Sequence, residues 1–200
     1  MRFVTIFITG FLLSSCASMS NYNPRTMVSG TDVRSYEAVD SKDFKFENKD
    51  LVIQYKPDIA DASTMVNFTN KTNKIIKIVW DETVYISPLG QSDRVFHDGV
   101  KIIDRDRSQV PSIIMPKSSQ IDMVTANSNV HFETGQYGGW KYTPICGSVS
   151  LVMHELEDKV CIGKVFGYMF TYEIEGKKKT ATIKFKYLSK APIEKKSKQL

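Results

Sequence analysis

The chain has 200 residues, a length that suits one domain preceded by short targeting and linking segments. Its formal charge of +5 is too small to favour a nucleic-acid partner. Three histidines and three cysteines, with no CxxC pair, disfavour a metal site.

Residues 1–15 have the order of a secretory signal peptide. Arg2 supplies a positive charge, residues 3–13 are mostly apolar, and Ser14 and Ser15 are small. The apolar run is too short to cross a bilayer, which takes about 20 apolar residues. We therefore predict that residues 1–15 direct export and are then removed. Their removal takes away Arg2 and lowers the formal charge from +5 to +4.

The end of this segment carries a more specific pattern. Leu13, Ser14, Ser15 and Cys16 resemble the lipobox of bacterial lipoproteins, in which an aliphatic and two small residues precede a cysteine. The resemblance implies cleavage before Cys16 and attachment of fatty acyl chains, such as palmitate, to that residue. Two or more chains make a lasting anchor, since each buried methylene contributes about 0.8 kcal/mol. The alternative is an ordinary signal peptide in which the cysteine falls by chance.

The resemblance also suggests a location. In lipoproteins of enteric-type bacteria, an aspartate after the lipidated cysteine retains the protein at the inner membrane, and here Ala17 follows Cys16. If the host is Gram-negative, we expect the protein in the cell envelope, anchored to the outer membrane and facing the periplasm.

The rest of the chain divides by composition. Residues 16–42 are polar and poor in aliphatic side chains, which predicts a lipidated N-terminus and a flexible tether. Random-coil scaling gives such a tether a reach of about 25 to 30 Å. Residues 43–190 are predicted to form a β-sandwich domain, and residues 191–200 a basic tail.

Two cysteines remain if Cys16 is lipidated. Cys146 and Cys161 are separated by fourteen residues, and an even number of cysteines in an exported protein favours one disulfide. Two unpaired buried thiols are the alternative.

Short alternating segments separated by turn residues predict an all-β, antiparallel fold, because no long helical pattern is present. The clearest element is a hairpin near the end of the domain, with a predicted tip over residues 175–179. Its apolar side chains stand at every second position on both arms, at Phe166, Tyr168, Phe170, Tyr172 and Ile174, then Ala181, Ile183, Phe185 and Tyr187. Other strand-like segments cover residues 44–46, 51–55, 66–68, 76–80, 83–86, 120–124 and 129–132.

The segment VNFTNKTNKIIKIVWDETVYI resembles immunoglobulin-like envelope domains, in which an Asn-rich turn joins two strands and the second ends in tryptophan. That resemblance implies an immunoglobulin-like β-sandwich with Trp80 in its core. From about residue 44 the chain also resembles exported bacterial lipoproteins, a likeness that implies no particular activity.

Two segments are candidates for a contact surface. Tyr137 and Trp140 lie in a Gly-rich aromatic loop, and Arg105 and Arg107 in the polar stretch HDGVKIIDRDRSQVP. The alternatives are a buried Trp140 with glycines that only shape the turn, and a solvated loop with its own counter-charges. The lysines at 177–179 and in the tail are either solvated or attracted to an anionic polymer or lipid.

No catalytic set is recognisable, and we expect no cofactor. MHELED lacks the second histidine of HExxH, and CGSVS lacks the glycine of a nucleophile elbow. A cluster of His97, Asp98, Asp104 and Asp106 is the remaining candidate for acid–base chemistry.

Three functions follow. The first is a non-enzymatic envelope lipoprotein that binds another envelope protein or an anionic polymer, or has a structural role. The second is a lipid-anchored hydrolase of cell-wall or surface polymer that uses the 97–106 cluster. The third is an accessory component of a secretion or surface apparatus.

Overall fold

A computed structural model describes residues 26–29, 32–41, 43–58, 62–143, 145 and 161–192. Within these ranges the regular structure is nearly all strand, with three 3₁₀ turns at Trp80–Glu82, Ile102–Asp104 and Asn127–Asn129 and a single α-helical residue, Cys161, which confirms the all-β prediction. The strands are β1 (Thr26–Ser29), β2 (Asp32–Ala38), β3 (Lys45–Glu47), β4 (Leu51–Asp58), β5 (Ser63–Asn70), β6 (Ile76–Ile78), β7 (Val84–Ile86), β8 (Ser92–His97), β9 (Ser112–Ile114), β10 (Ser119–Ala126), β11 (Val130–Glu133), β12 (Gly139–Tyr142), β13 (Val165–Ile174) and β14 (Lys177–Pro192).

Twelve strands form one antiparallel sheet in the order β1-β2-β14-β13-β7-β8-β10-β5-β4-β3; β6 pairs with β13, and β9 pairs with β6. The sheet curls, so that its two halves face each other. Phe68 of β5 meets Phe170 of β13 at 5.1 Å between ring centroids, and Tyr55 of β4 meets Phe185 of β14 at 6.0 Å. Strands β11 and β12 form a separate two-stranded sheet.

The space between the two halves is filled by aromatic side chains, because alternate residues of β13 and β14 point into it. Trp80 is buried there, and its indole Nε1 donates a hydrogen bond of 2.9 Å to the Ser112 hydroxyl. The large side chains that are almost fully buried include Tyr36, Phe44, Phe68, Trp80, Tyr85, Phe166, Tyr168, Phe170, Tyr172, Phe185 and Tyr187.

The β13–β14 hairpin is present, but its tip is shorter than the sequence suggested. Only Glu175 and Gly176 form the turn, and both have positive φ, at 50° and 76°. Two positive-φ residues match the right-handed twist of the flanking strands. Lys177 is therefore already paired with Ile174 in the sheet, so the expected five-residue tip over 175–179 is wrong.

The predicted tether also needs correction. Within residues 16–42, β1 and β2 are strands, and β2 pairs with the end of β14. Tyr36 is 1% exposed and lies 5.9 Å from the ring of Phe166. The pairing of β13 with β14 ends where Val165 lies opposite Lys186. The rest of β14, as far as Pro192, pairs with β2. Nine residues separate Cys16 from Thr26, and they lie outside the described residues.

Strand β14 continues to Pro192, two residues into the predicted tail. Cys161 is buried at the edge of the core near Ile145. Cys16 and Cys146 lie outside the described residues, so the lipidation and the disulfide stay predictions. Among the helices of the described ranges, none has the length and apolar character needed to span a membrane.

Candidate functional site

The predicted aromatic loop is the β11–β12 hairpin, which leaves the main sheet after β10. Phe132 pairs with Trp140 across the two strands, with ring centroids 5.4 Å apart and planes at 73°. At the turn, the Gly138 N–H donates to the Gly135 carbonyl at 3.0 Å. A Cβ on Gly138 would lie 2.4 Å from the Glu133 carbonyl oxygen, so the turn closes only with glycine at this position.

Two residues of the predicted contact surface meet directly. The guanidinium of Arg105 lies over the Trp140 ring, 5.0 Å from the ring centroid. Arg105 Nη1 also donates a hydrogen bond of 3.1 Å to the Ile102 carbonyl. An arginine over an indole face is a favourable cation–π contact. It fixes the hairpin against the segment that follows the 3₁₀ turn Ile102–Asp104.

The other two predicted residues have different environments. Tyr137 is 85% exposed at the hairpin tip. Arg107 forms an ion pair of 3.2 Å with Asp104 and is also exposed, so its charge is partly compensated within its own loop. The structure therefore joins Arg105 to Trp140 but gives Arg107 a local partner.

The loop beneath the hairpin is held in place by Asp81. Its carboxylate accepts hydrogen bonds from the Ser108 hydroxyl at 2.5 Å, the Gln109 N–H at 3.0 Å and Arg94 Nη2 at 3.1 Å. Burial opposes ionisation of Asp81, but the Ser108 and Gln109 hydrogen bonds and the Arg94 charge outweigh it and lower the pKa of this carboxyl. Arg94 also donates to the Asp106 carbonyl at 3.0 Å, which extends the same network.

A cleft of about 300 Å³ lies beside the hairpin. Its wall is mixed, and its apolar groups include Tyr142 of β12 and Val100 and Ile102 of the loop. Two hydroxyls also line it, those of Ser63 and Thr125, which are hydrogen-bonded to each other at 2.7 Å. The complete lining is Ser63, Phe96, His97, Asp98, Gly99, Val100, Ile102, Met123, Thr125 and Tyr142.

Exposed apolar side chains surround this region. Phe132 is 58% exposed, Tyr142 43% and Ile103 74%, whereas Trp140 is 37% exposed because Arg105 covers one of its faces. Phe132, Tyr142 and Ile102 were missed as site residues in the sequence, since a single apolar residue in a short alternating segment does not show which face it takes. We call the hairpin with the adjoining cleft the hairpin–cleft surface.

The four groups considered for acid–base chemistry each have their own contacts. His97 stacks on Trp80, and its Nδ1 lies 3.2 Å from Asp122 Oδ2. Asp104 forms an ion pair with Arg107, and Asp106 Oδ1 accepts a hydrogen bond of 2.8 Å from the Asn127 amide.

Asp98 Oδ1 accepts the neighbouring Gly99 N–H at 2.9 Å. Within the described ranges, no three His, Cys, Asp or Glu side chains gather as metal ligands would. Asp122, which sequence reasoning did not single out, is the acidic residue that contacts His97.

The lysines at the β13–β14 turn have acidic partners as well. Lys178 is paired with Glu82, and Lys179 lies 2.5 Å from Asp50. These contacts raise the pKa of both lysines, chiefly through the hydrogen bond each makes to its carboxylate. Their charges are thus compensated on the sheet surface, which weakens the case for an anionic polymer binding there.

The chain matches no protein-family model, and comparisons with curated proteins and with solved structures find no significant match.

Proposed function

We propose that this protein is a lipid-anchored envelope lipoprotein whose β-domain binds another envelope protein through the hairpin–cleft surface. The N-terminal pattern that ends at Cys16 supports the anchor. In a Gram-negative host the proposed location is the outer membrane, with the domain facing the periplasm. An accessory place in a surface assembly is compatible with this role.

The observation that carries the binding role is the exposure of aromatic side chains on a rigid hairpin. Phe132, Tyr137 and Tyr142 stand in solvent while the Arg105–Trp140 contact and the Asp81 network hold their support in place. Exposed aromatic groups on a fixed scaffold are typical of protein contact sites, because little side-chain entropy is lost on binding.

We further propose that the domain is an immunoglobulin-like sandwich, and the strand order supports this. Seven strands taken in chain order as A to G are β4, β5, β6 with β7, β8, β10, β13 and β14. One half of the sheet then runs A-B-E-D and the other C-F-G, the arrangement of constant-type immunoglobulin domains. Trp80 lies between β6 and β7, the two parts of strand C, and Phe68 and Phe170 meet between strands B and F.

The anchor is tested by mass spectrometry of the mature protein from membranes. We expect residues 1–15 to be absent and Cys16 to carry acyl chains. A Cys16→Ser variant should lose the acyl mass and leave the membrane fraction on washing. An unmodified Cys16 thiol in the wild-type protein would contradict the anchor.

The binding role is tested by photo-crosslinking in intact cells. A photoreactive amino acid at Tyr137 should give a discrete adduct with one envelope protein, and the same group at Ile113 on β9, which is also exposed, serves as the control. The adduct should disappear with Gly138→Ala, which deforms the turn. Equal adducts from both positions would mean that the hairpin has no special role.

A further inference from the structure

We propose that the cleft of the hairpin–cleft surface binds an extended peptide segment of the partner, which inserts one apolar side chain and places a basic group near Asp98 and an acidic group near Arg105. This inference rests on the proposed binding role but not on the lipid anchor.

The dimensions of the cleft favour a side chain over a larger ligand. Its volume of about 300 Å³ lies at the lower limit of the 300 to 1,000 Å³ that small-molecule pockets span. The inner wall is the outer face of β8 and β10, through Phe96 and Met123, and the opposite wall includes Ile102 and Tyr142. A methionine in such a wall adapts its shape to the group that enters.

Apolar groups outside the cleft extend the contact. Ile121 is exposed on β10, two residues from Met123, and Ile103 and Phe132 are exposed on the loop and hairpin. A central pocket surrounded by further apolar surface is the arrangement found where one anchor side chain dominates a protein–protein contact. An extended segment that passes over the cleft covers these side chains as well.

Two uncompensated charges lie at this surface. Asp98 lines the cleft, and Arg105 lies against Trp140 on the Ile102 side. Among the described residues, neither forms an ion pair, whereas the nearby Asp81, Asp104 and Glu133 are paired with Arg94, Arg107 and His131. A carboxylate from the partner would supply a counter-charge to the accessible part of the Arg105 guanidinium.

The same contacts disfavour stacking of a sugar polymer on Trp140. Carbohydrates stack on a free aromatic face, but the Trp140 ring has Arg105 over one face and the Phe132 ring at its side. A peptide, in contrast, provides an apolar side chain and charges of both signs on one short segment. We therefore assign the cleft to a peptide.

The test uses the full mature chain with Cys16→Ser, which removes any acyl group, and a phage-displayed random dodecapeptide library as the probe. We expect enriched peptides that carry one large apolar residue between a basic and an acidic residue. Ile102→Asp and Tyr142→Ala should each weaken binding of a synthetic enriched peptide at least about tenfold, whereas Ile113→Asp should leave it unchanged.

The charge assignment has its own test. Arg105→Gln should weaken binding of the enriched peptide. In that variant, replacing the peptide's acidic residue by its amide should cause no further loss of affinity. Asp98→Asn should also weaken binding, and in that variant replacing the peptide's basic residue by a neutral one should cause no further loss. Enrichment of no peptide, binding that ignores Ile102→Asp and Tyr142→Ala, or competition by soluble cell-wall oligosaccharide would overturn the proposal. None of these outcomes depends on whether Cys16 is lipidated.

Discussion

The indole of Trp80 and the imidazole of His97 lie parallel, with planes 10° apart and ring centroids separated by 4.4 Å. His97 is held in this position by Asp122, whose other oxygen accepts the Asp98 N–H at 3.0 Å. His97 and Asp122 therefore connect strand β8 and the loop that lines the cleft to the aromatic core. His97, a candidate for acid–base chemistry in the sequence, contributes here to packing.

Trp80→Phe is expected to destabilise the fold by about 1 to 3 kcal/mol, because the buried Ser112 hydroxyl loses the N–H that donates to it. The free energy of unfolding in urea measures this cost. Ser112→Ala is the matched control, since Trp80→Phe made in that background should cost less. Equal costs in both backgrounds would show that the hydrogen bond contributes nothing.

Gly138→Ala is expected to disrupt the β11–β12 hairpin without unfolding the sheet. The added Cβ would lie 2.4 Å from the Glu133 carbonyl oxygen, and the hairpin forms a sheet of its own. Limited proteolysis should cut near Tyr137 faster than in the wild-type chain, while the thermal midpoint changes little. Gly90→Ala is the comparison for strain outside the hairpin, because its φ of 78° disfavours alanine while the added Cβ meets no atom within 4 Å. It should not speed cleavage near Tyr137.

Tyr36→Ala is expected to destabilise the domain by about 3 to 5 kcal/mol, the usual cost of removing a buried aromatic side chain. A residue of a flexible tether would give almost no change. Glu37→Ala is the control on the same strand, because Glu37 is exposed and should cost less than about 0.5 kcal/mol. Chemical denaturation of both variants decides between strand and tether.

Asp81→Asn is expected to loosen the loop around Gln109 in a pH-dependent way. The pKa of Asp81 is lowered in the folded protein, so its ionised form stabilises the fold above the ordinary value of 3.8. This contribution is lost as the pH falls through the lowered pKa. The urea midpoints of wild type and variant should differ at neutral pH and converge in strong acid. Asp43→Asn, at an exposed position, is the control and should leave the urea midpoint at neutral pH unchanged.

The disulfide prediction concerns Cys146 and Cys161. In the Cys16→Ser background, the unfolded, unreduced protein should expose no reactive thiol. Cys161→Ser should cost about 3 kcal/mol, the loop-closure value for about fifteen residues. Adding Cys146→Ser to that variant should cost little more. Two thiols that react with alkylating reagent before reduction would show that the bond is absent.

Much of this fold was predictable because its strands alternate strongly. The period-two pattern from Phe166 to Ile174 indicated β13. In the predicted Asn-rich turn, Asn70 Oδ1 accepts a hydrogen bond of 2.8 Å from the Thr72 N–H. Strand β2 was missed because Tyr36 is its one large aromatic residue. Its partner, the end of β14, is about 150 residues away, and local periodicity carries no information about such a distant edge.

The candidate site was predictable in its residues but only partly in its arrangement. Aromatic and arginine content pointed to Trp140 and Arg105, but their contact depends on how two loops pack. Sequence also does not show which partners Asp104 and Asp106 take, although the two residues are close together. Asp104 forms an ion pair with Arg107, and Asp106 accepts a hydrogen bond from Asn127.

The pairing of β2 with the end of β14 bears on the order in which the chain acquires its structure. Asp32 lies opposite Pro192, so strand β2 is completed by a segment about 160 residues further along the chain. Bringing two such distant segments together costs chain entropy before their contacts form, and such topologies fold slowly. Until the end of β14 pairs with it, β2 has an open edge and an exposed aromatic side chain. We therefore expect a holding chaperone to act on the chain before this pairing forms.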